Sequence, residues 1–137
     1  MSAHPQAKET GLGTDDALVR EETDGHVRRL TLADVRRRNL LTIDMMTSLE
    51  AALQRAAQDD DVRCVVIAGD GPAFSAGHDL KAMTARYGDA DGGRAYFQAL
   101  FDQCSALMYG IARNPRPIIA EVRIAPIRLS RKLCQFS

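Results

Sequence analysis

The choice of fold for this chain is narrowed most by one short apolar run, residues 62–68 (VRCVVIA). A run of this kind, rich in β-branched residues, is typical of a strand buried on both faces in a parallel or mixed sheet. Apolar residues ahead of it recur at steps of three and four, which predicts a helix over 43–58 with Thr42 as its N-cap. The apolar stripe of that helix is Ile43, Met46, Leu49, Leu53 and Ala56.

Further elements are predicted on both sides of this pair. Strands are expected at 17–22 and 26–32, and Thr23-Asp24-Gly25 between them contains Asp-Gly, a dipeptide typical of tight hairpins. A flexible acidic loop at 88–93, a helix over 94–113 and a buried strand over 117–122 follow. Strand, helix and strand in this order form βαβ units with right-handed crossovers. The expected buried face of the second helix is Phe97, Leu100, Phe101, Cys104, Leu107, Met108 and Ile111.

Composition argues against several classes of partner. Lys and Arg total 18, as do Asp and Glu, so the mean charge indicates no nucleic-acid and no membrane partner. The three cysteines, Cys64, Cys104 and Cys134, are widely spaced, which indicates reduced thiols in a cytosol-like compartment. The first residues lack the apolar core of a signal peptide. We therefore expect a cytoplasmic protein, with the mitochondrial matrix as the alternative, and a disordered extension at 1–15.

The residues that carry chemistry directly follow the buried strand. Residues 71–81 read GPAFSAGHDLK, and we call them the signature segment. Their small side chains allow a tight backbone path, and Gly77 is free to adopt positive φ. Such a turn can aim a backbone N–H into a cavity at the carboxyl end of the strand, where open α/β sheets bind ligands. One N–H fixed toward a developing oxyanion contributes about 3–4 kcal/mol of transition-state stabilisation.

The signature segment resembles that of the enoyl-CoA hydratase/isomerase (crotonase) superfamily, whose pattern is Phe-small-Ala-Gly-x-Asp followed by Leu or Ile. Asn39 and Leu41 match the family's Asn-x-Leu turn, and residues 115–120 (PRPIIA) match its Pro-Lys-Pro strand. The resemblance covers about residues 16–122. Within the family, the chain is similar to a subgroup of hydratase-domain-containing proteins whose signature has the sequence SAGHD. It implies an α/β fold, the ClpP/crotonase spiral of ββα units, truncated here after the second buried βαβ crossover.

The resemblance also implies a site. In the family, the residue after the signature glycine donates its backbone N–H to the carbonyl of a CoA thioester, and that residue is His78 here. The implied partner is an acyl-CoA thioester, so coenzyme A belongs to the substrate and neither a separate cofactor nor a metal is expected. Family members form trimers or hexamers. The remaining implied substrate-binding residues are Ala76, Gly77, Asp79, Leu80 and Lys81.

The chain departs from the family after the strand at 117–122. The family has a Gly-rich segment there, which supplies a second N–H donor, and its hydratases place a pair of catalytic glutamates beyond it. No glycine follows Gly110 in this chain, and Glu121 lies inside the strand, where it matches neither glutamate. We therefore expect a partial domain at 16–122 and an atypical basic tail at 123–137, as in a truncated or frame-shifted reading of a longer protein.

Three classes of function stay open at this point. The chain is an enoyl-CoA hydratase/isomerase family enzyme acting on acyl-CoA thioesters, a non-catalytic acyl-CoA-binding pseudoenzyme, or a fragment without independent function. The missing glycine segment and glutamates favour weak or no activity for the chain as written. They favour the last two classes for this chain, whereas the family resemblance points to the first.

Several site residues have two interpretations. The His78 imidazole is a candidate general base, whereas no ligand spacing joins it to His4 or His26 at a metal. Asp79 is as well suited to capping or anchoring the loop as to touching substrate. Lys81 is either a phosphate contact or a solvated residue at a helix start. Packing or surface roles are the default interpretation for Cys64, Cys104, Arg36, Arg37 and Arg38.

Overall fold

The structure, a computed structural model, describes residues 17–123. The predicted extension at 1–15 and residues 124–137 of the predicted tail lie outside the described residues. None of the helices within 17–123 is long and apolar enough to cross a membrane. The elements are β1 (Val19–Asp24), β2 (Val27–Leu32), a 3₁₀ turn (Val35–Arg37), α1 (Ile43–Gln58), β3 (Cys64–Gly69), α2 (Leu80–Ala85), a 3₁₀ turn (Arg86–Gly88), α3 (Arg94–Ala112) and β4 (Ile118–Glu121).

The four strands form one mixed sheet in the order β1-β2-β3-β4. β1 and β2 are antiparallel, whereas β2 pairs with β3, and β3 with β4, in parallel. α1 connects β2 to β3, and α2 and α3 together connect β3 to β4. The predicted α/β class and the order of the two predicted βαβ crossovers are therefore confirmed, but the prediction that the strand over 117–122 is buried is wrong, because Ile119 of β4 is 54% exposed. Parallel pairing brings the carboxyl ends of β2, β3 and β4 to one edge of the sheet.

Helix α1 packs its apolar face on the sheet and contributes more buried residues to the core than any other described element. The helix begins after Thr42, whose side-chain oxygen accepts a hydrogen bond from Met45 N–H at 3.1 Å, so the predicted N-cap is confirmed. The sheet residues beneath it, among them Leu30 and Val65, are fully buried. The buried residues of α1 are Met45, Met46, Leu49, Ala52, Leu53 and Ala56.

The hairpin turn begins two residues later, and ends one residue later, than the sequence predicts. β1 continues through Asp24, which pairs with Val27, so the turn residues are Gly25 and His26. Gly25 has φ 57, the positive value that the first position of a type II′ turn requires. The prediction of a turn at 23–25 was wrong in position because pairing with the neighbouring strand extends the ladder to Asp24.

Burial of β3 on both faces was predicted and is wrong. Val65 and Ile67 face the core, whereas Cys64 and Val66 are only half-buried on the outer face. Charged residues of the neighbouring strands share that outer face, where Arg29 and Glu121 form an ion pair at 2.8 Å. An apolar run in the sequence does not reveal that its neighbours in the sheet are charged.

Helix α3 packs on α1, and its buried face is narrower than predicted. Leu100 and Leu107 are buried, but the exposed fractions of Phe101 and Met108 are 53% and 50%. The prediction that those two residues are core is wrong. The main neighbour of α3 is α1, and this contact covers only one side of the helix.

Two local features of the connection between β3 and α3 sharpen or correct the sequence interpretation. The short helix α2 begins directly after Asp79, inside the signature segment. The predicted flexible loop at 88–93 is a hydrogen-bonded turn, in which the Asp91 carboxylate accepts from the N–H groups of Gly93 and Ala95, both at 2.9 Å. This carboxylate satisfies free donors at the start of α3.

Candidate functional site

The signature segment turns sharply away from the end of β3. Gly69 lies so close to Phe74 that a Cβ at Gly69 would be 2.4 Å from the Phe74 carbonyl oxygen. Gly77 has φ 84, a conformation that residues with a Cβ rarely adopt. The predicted positive φ of Gly77 is therefore confirmed, whereas the crowding lies at Gly69 and not at Gly77, where a Cβ would meet no atom within 4 Å.

Asn39, in the connection between β2 and α1, binds the backbone of the turn after β3 through its side chain. Its side chain is fully buried, and its amide nitrogen donates to three backbone carbonyls, those of Asp70, Ala73 and Phe74, at 2.9, 3.1 and 3.1 Å. Because carbonyls only accept, these contacts fix which amide atom is nitrogen. Asn39 therefore links two regions of the chain that are far apart in sequence.

Ser75 and Leu41 complete the connection. The Ser75 hydroxyl donates to the Asn39 carbonyl at 2.7 Å and accepts from Gly77 N–H at 3.0 Å. Ala76 N–H donates to the Arg38 carbonyl at 2.9 Å, and Leu41 N–H donates to the Gly77 carbonyl at 2.8 Å. Residues 38–41 thus form a second set of hydrogen bonds along the signature segment.

The orientation of His78 N–H follows from the bond between Leu41 and Gly77. The Gly77 carbonyl and the His78 N–H belong to one planar trans peptide unit, so they point in opposite directions. Since the carbonyl points at Leu41, the N–H points away from residues 38–41. Within residues 17–123, no carbonyl or side chain accepts a hydrogen bond from this N–H. His78 therefore presents a fixed backbone donor that none of the described residues uses.

The His78 imidazole is held on both sides. Its Nδ1 lies 3.1 Å from the Leu41 carbonyl oxygen, which can only accept, so Nδ1 carries the proton. Its Nε2 lies 4.0 Å from Cys104 Sγ on α3. The ring thus anchors the loop between two elements, and this geometry favours the backbone interpretation of His78 over the imidazole as general base.

Asp79 is engaged as a cap. One carboxylate oxygen accepts from Ala82 N–H at 3.0 Å, and the other accepts from the Arg37 guanidinium at 3.0 Å. The Ala82 hydrogen bond and then the Arg37 interaction hold the pKa of Asp79 below its ordinary value. The sequence allows Asp79 either to cap the loop or to touch substrate, and in the structure its carboxylate acts as a cap. Arg37, expected only at the surface, takes part in it.

The other predicted site residues lie along one continuous stretch. Ala76, Leu80 and Lys81 are exposed, and Gly77 is half-buried. The exposed fraction of Leu80 is 71%. Asn39 and Ser75 were not predicted as site residues. The sequence signal for Asn39 is the Asn-x-Leu resemblance, and Ser75 lies in the signature segment, but the hydrogen bonds between these two regions span more than 30 positions.

A charged depression on the outer face of the sheet reaches Gly69 and Asp70, directly before the signature segment. Within the described residues it is lined by ion pairs, Arg29–Glu121 at 2.8 Å and Arg20–Asp70 at 2.7 Å. The hydrogen bond from Arg29, followed by that from Arg123, holds the pKa of Glu121 below its ordinary value. A general base needs a pKa near the working pH, so Glu121 is poorly suited to that role. No three His, Cys, Asp or Glu side chains within 17–123 are grouped as metal ligands would be.

Comparisons with known proteins agree with this geometry. Residues 27–123 match the family model described as enoyl-CoA hydratase/isomerase. The enoyl-CoA hydratase domain-containing protein 3, mitochondrial, of Rattus norvegicus is 34% identical over 116 residues, which cover 85% of this chain and 37% of the relative. Its human counterpart is 36% identical over 101 residues, covering 74% and 31%. The chain thus spans about a third of the length of these relatives.

Solved structures give the same result. The crystal structure of human enoyl Coenzyme A hydratase domain-containing protein 3 superposes with a TM-score of 0.69 and 31% identity, covering 78% of this chain and 40% of that one. An enoyl-CoA hydratase/isomerase family protein from Silicibacter pomeroyi superposes with a TM-score of 0.66 and 42% identity, covering 75% and 42%. On the family match and these likenesses, the chain belongs to the enoyl-CoA hydratase/isomerase family and has part of the crotonase fold.

Proposed function

We propose that this chain binds acyl-CoA thioesters by donating the His78 backbone N–H to the thioester carbonyl. The observation that carries the proposal is the fixed donor itself: Leu41 N–H orients the Gly77–His78 peptide, and no described residue uses its N–H. Family membership supports the same ligand class, because its relatives are named for enoyl-CoA. Coenzyme A is then part of the ligand, and no separate cofactor is required.

The chemistry follows from where negative charge develops. When an enoyl thioester is attacked at Cβ, or an acyl thioester loses a proton at Cα, the carbonyl oxygen becomes an enolate oxygen. A rigid N–H at that oxygen stabilises the anion without having to reorient, and one such donor is worth about 3–4 kcal/mol. His78 would supply one donor of the pair that the family resemblance implies.

The residues around His78 suit an extended thioester. Ala76 and Gly77 add little bulk beside the donor, so a ligand carbonyl can approach the backbone. The exposed Leu80 side chain offers apolar contact to an acyl or pantetheine chain. Lys81 is also exposed and would contact a phosphate of coenzyme A. Asp79 supports this stretch through its cap and is not proposed to contact the ligand.

Binding is tested by titrating the purified chain with acetyl-, crotonyl- and longer acyl-CoA while its melting temperature is recorded. We expect a rise in melting temperature with ligand concentration, as for any ligand that binds the folded state alone. His78→Ala keeps the N–H and should retain most of this shift, whereas His78→Pro removes it and should abolish it. Equal losses in both variants would instead implicate the imidazole.

A second candidate, binding without catalysis, is favoured by the state of Glu121. This glutamate is ion-paired with Arg29 and Arg123, and the sequence contains no Gly-rich second donor after Gly110. We therefore expect no appreciable loss of crotonyl-CoA absorbance with the 137-residue chain. Turnover at a hundredth of the median enzyme rate of about 10 per second would contradict this expectation.

The compartment and the assembly are also proposals. The rat and human relatives are named as mitochondrial proteins, which supports a mitochondrial location over the cytoplasm for this chain. We propose from the family resemblance that this chain also assembles as a trimer or hexamer. A fluorescent fusion viewed with a mitochondrial marker tests the first proposal, and light scattering after gel filtration tests the second.

A further inference from the structure

Asn39 is a buried polar residue in an unfavourable local conformation. Its φ is 53, and that of Arg38 before it is 52, so two successive non-glycine residues adopt left-handed backbone. Within the described part of the chain, no donor reaches the buried Asn39 Oδ1. Both features lower stability. Strained residues of this kind are held by their surroundings and concentrate at functional sites.

The side-chain hydrogen bonds of Asn39 all go to the turn ahead of His78. Its amide group has two hydrogens, and three carbonyls lie within 3.1 Å of the nitrogen, those of Asp70, Ala73 and Phe74. The three carbonyls must share the two hydrogens, so one side chain gathers them around a single point. The Asn39 carbonyl adds a fourth contact, from the Ser75 hydroxyl at 2.7 Å.

These contacts set the distance between residues 38–41 and the signature segment. At that distance Leu41 N–H reaches the Gly77 carbonyl at 2.8 Å, and this bond orients the Gly77–His78 peptide. We infer that Asn39 is a positioning residue for the His78 donor, an inference that rests on the proposed function. The side chain does not touch the ligand; it fixes the turn so that the next peptide plane directs its N–H outward.

A matched pair of glycine substitutions separates positioning from backbone strain. Asn39→Gly relieves the positive φ and removes the amide. Arg38→Gly relieves the neighbouring positive φ but leaves every hydrogen bond of Asn39, because Arg38 contributes its backbone carbonyl to the segment. Any difference between the two variants therefore reports on the Asn39 side chain.

The first measurement is amide hydrogen exchange of the unliganded chain. In Asn39→Gly we expect exchange at residues 74–79 to accelerate, while protection of β2 and β3 is kept. In Arg38→Gly both regions should keep their protection. Unchanged exchange at 74–79 in Asn39→Gly would overturn the inference, whether or not the chain binds a thioester.

The second measurement is the ratio of affinities for butyryl-CoA and for S-butyl-CoA, a thioether that lacks the carbonyl oxygen. The ratio cancels any general loss of affinity and isolates the carbonyl contact. One hydrogen bond predicts a preference for the thioester of about three- to tenfold in the unaltered chain. Asn39→Gly should bring the ratio close to one, whereas Arg38→Gly should leave it unchanged.

The outcomes separate the inference from the proposed function. If the unaltered chain prefers the thioester and Asn39→Gly prefers it equally, the positioning role is wrong while the His78 donor stands. If the unaltered chain binds neither compound, the proposed function fails and the exchange data alone judge Asn39. If Asn39→Gly does not fold, Ser75→Ala takes its place, because it removes the hydroxyl that bridges the Asn39 carbonyl and Gly77 N–H. The inference then requires a smaller change in the same direction in both the exchange rates and the affinity ratio.

Discussion

Helices α1 and α3 differ in how much of their apolar surface other elements cover. The segments that form α1 and α3 both have apolar residues at helical spacing, so each predicts an amphipathic helix. α1 contacts strands β1 and β2 as well as α3, and it buries six residues. α3 lies outside α1 and buries two, Leu100 and Leu107. Periodicity thus reports which side of a helix is apolar, but not whether anything packs against that side.

The largest effect is expected when a methionine is replaced by alanine in α1 and, for comparison, in α3. Met46 on α1 is fully buried, and Met108 on α3 is half exposed, although the sequence predicts both as core. Met46→Ala should lower the free energy of unfolding by about 2–5 kcal/mol, since it removes buried atoms and leaves a cavity. Met108→Ala should change it by less than about 0.5 kcal/mol. Urea denaturation measures both, and equal losses would show that α3 is covered in solution.

The next prediction compares two glycine-to-alanine substitutions, one at the end of β3 and one in α3, whose effects on stability should have opposite signs. A Cβ on Gly69, at the end of β3, would lie 2.4 Å from the Phe74 carbonyl oxygen, whereas a Cβ on Gly110 of α3 meets no atom within 4 Å. Gly69→Ala should therefore destabilise the protein by about 1–3 kcal/mol. Gly110→Ala should stabilise it by about 0.5–1 kcal/mol, because alanine loses less backbone entropy in a helix. Melting temperatures that move in the same direction would contradict this comparison.

The smallest effect concerns helix caps. α1 is capped by the neutral Thr42 and α2 by the charged Asp79. The fold lowers the pKa of Asp79, so its charged form stabilises α2. That contribution is complete above the unfolded-state value of about 3.9 and is lost as the pH falls through the lower folded-state pKa. Amide exchange of Ala82 and Met83 should accelerate, relative to intrinsic rates, over that range.

A neutral cap at the same position provides the control. Asp79→Asn keeps a side-chain oxygen for the Ala82 N–H but carries no titrating charge, so exchange in α2 should then show no such dependence on pH. Exchange in α1, behind Thr42, should be insensitive to this titration in both proteins. A pH dependence in Asp79→Asn equal to that of the unaltered chain would assign the effect to another group.

Much of the fold could be predicted because its signals are local. Thr42 caps α1 as predicted, since an N-cap needs only its own helix. The hairpin shows the limit. Asp-Gly predicts a tight turn, but the register of β1 against β2 places that turn at Gly25 and His26. Residue type selects a turn, whereas strand pairing selects its position.

The candidate site divides in the same way. Gly77 and His78 could be singled out from the sequence because they form one short motif after a strand. Asn39 could not be placed against that motif, since its amide reaches a carbonyl 34 positions along the chain. The same holds for the 4.0 Å approach of Cys104 Sγ to the His78 ring. Contacts of this range leave no periodic pattern in the sequence.

The sequence by itself determined the element types, their order and the segment that carries the candidate donor, because these depend on periodicity, caps and short-range backbone sterics. Only the tertiary structure decided which apolar faces are covered, which polar groups are paired and where His78 N–H points. The physical reason is that burial and hydrogen bonding depend on what lies opposite a residue in space. For Asn39, Met108 and Val66, that neighbour, or its absence within residues 17–123, is set by the packing of distant segments.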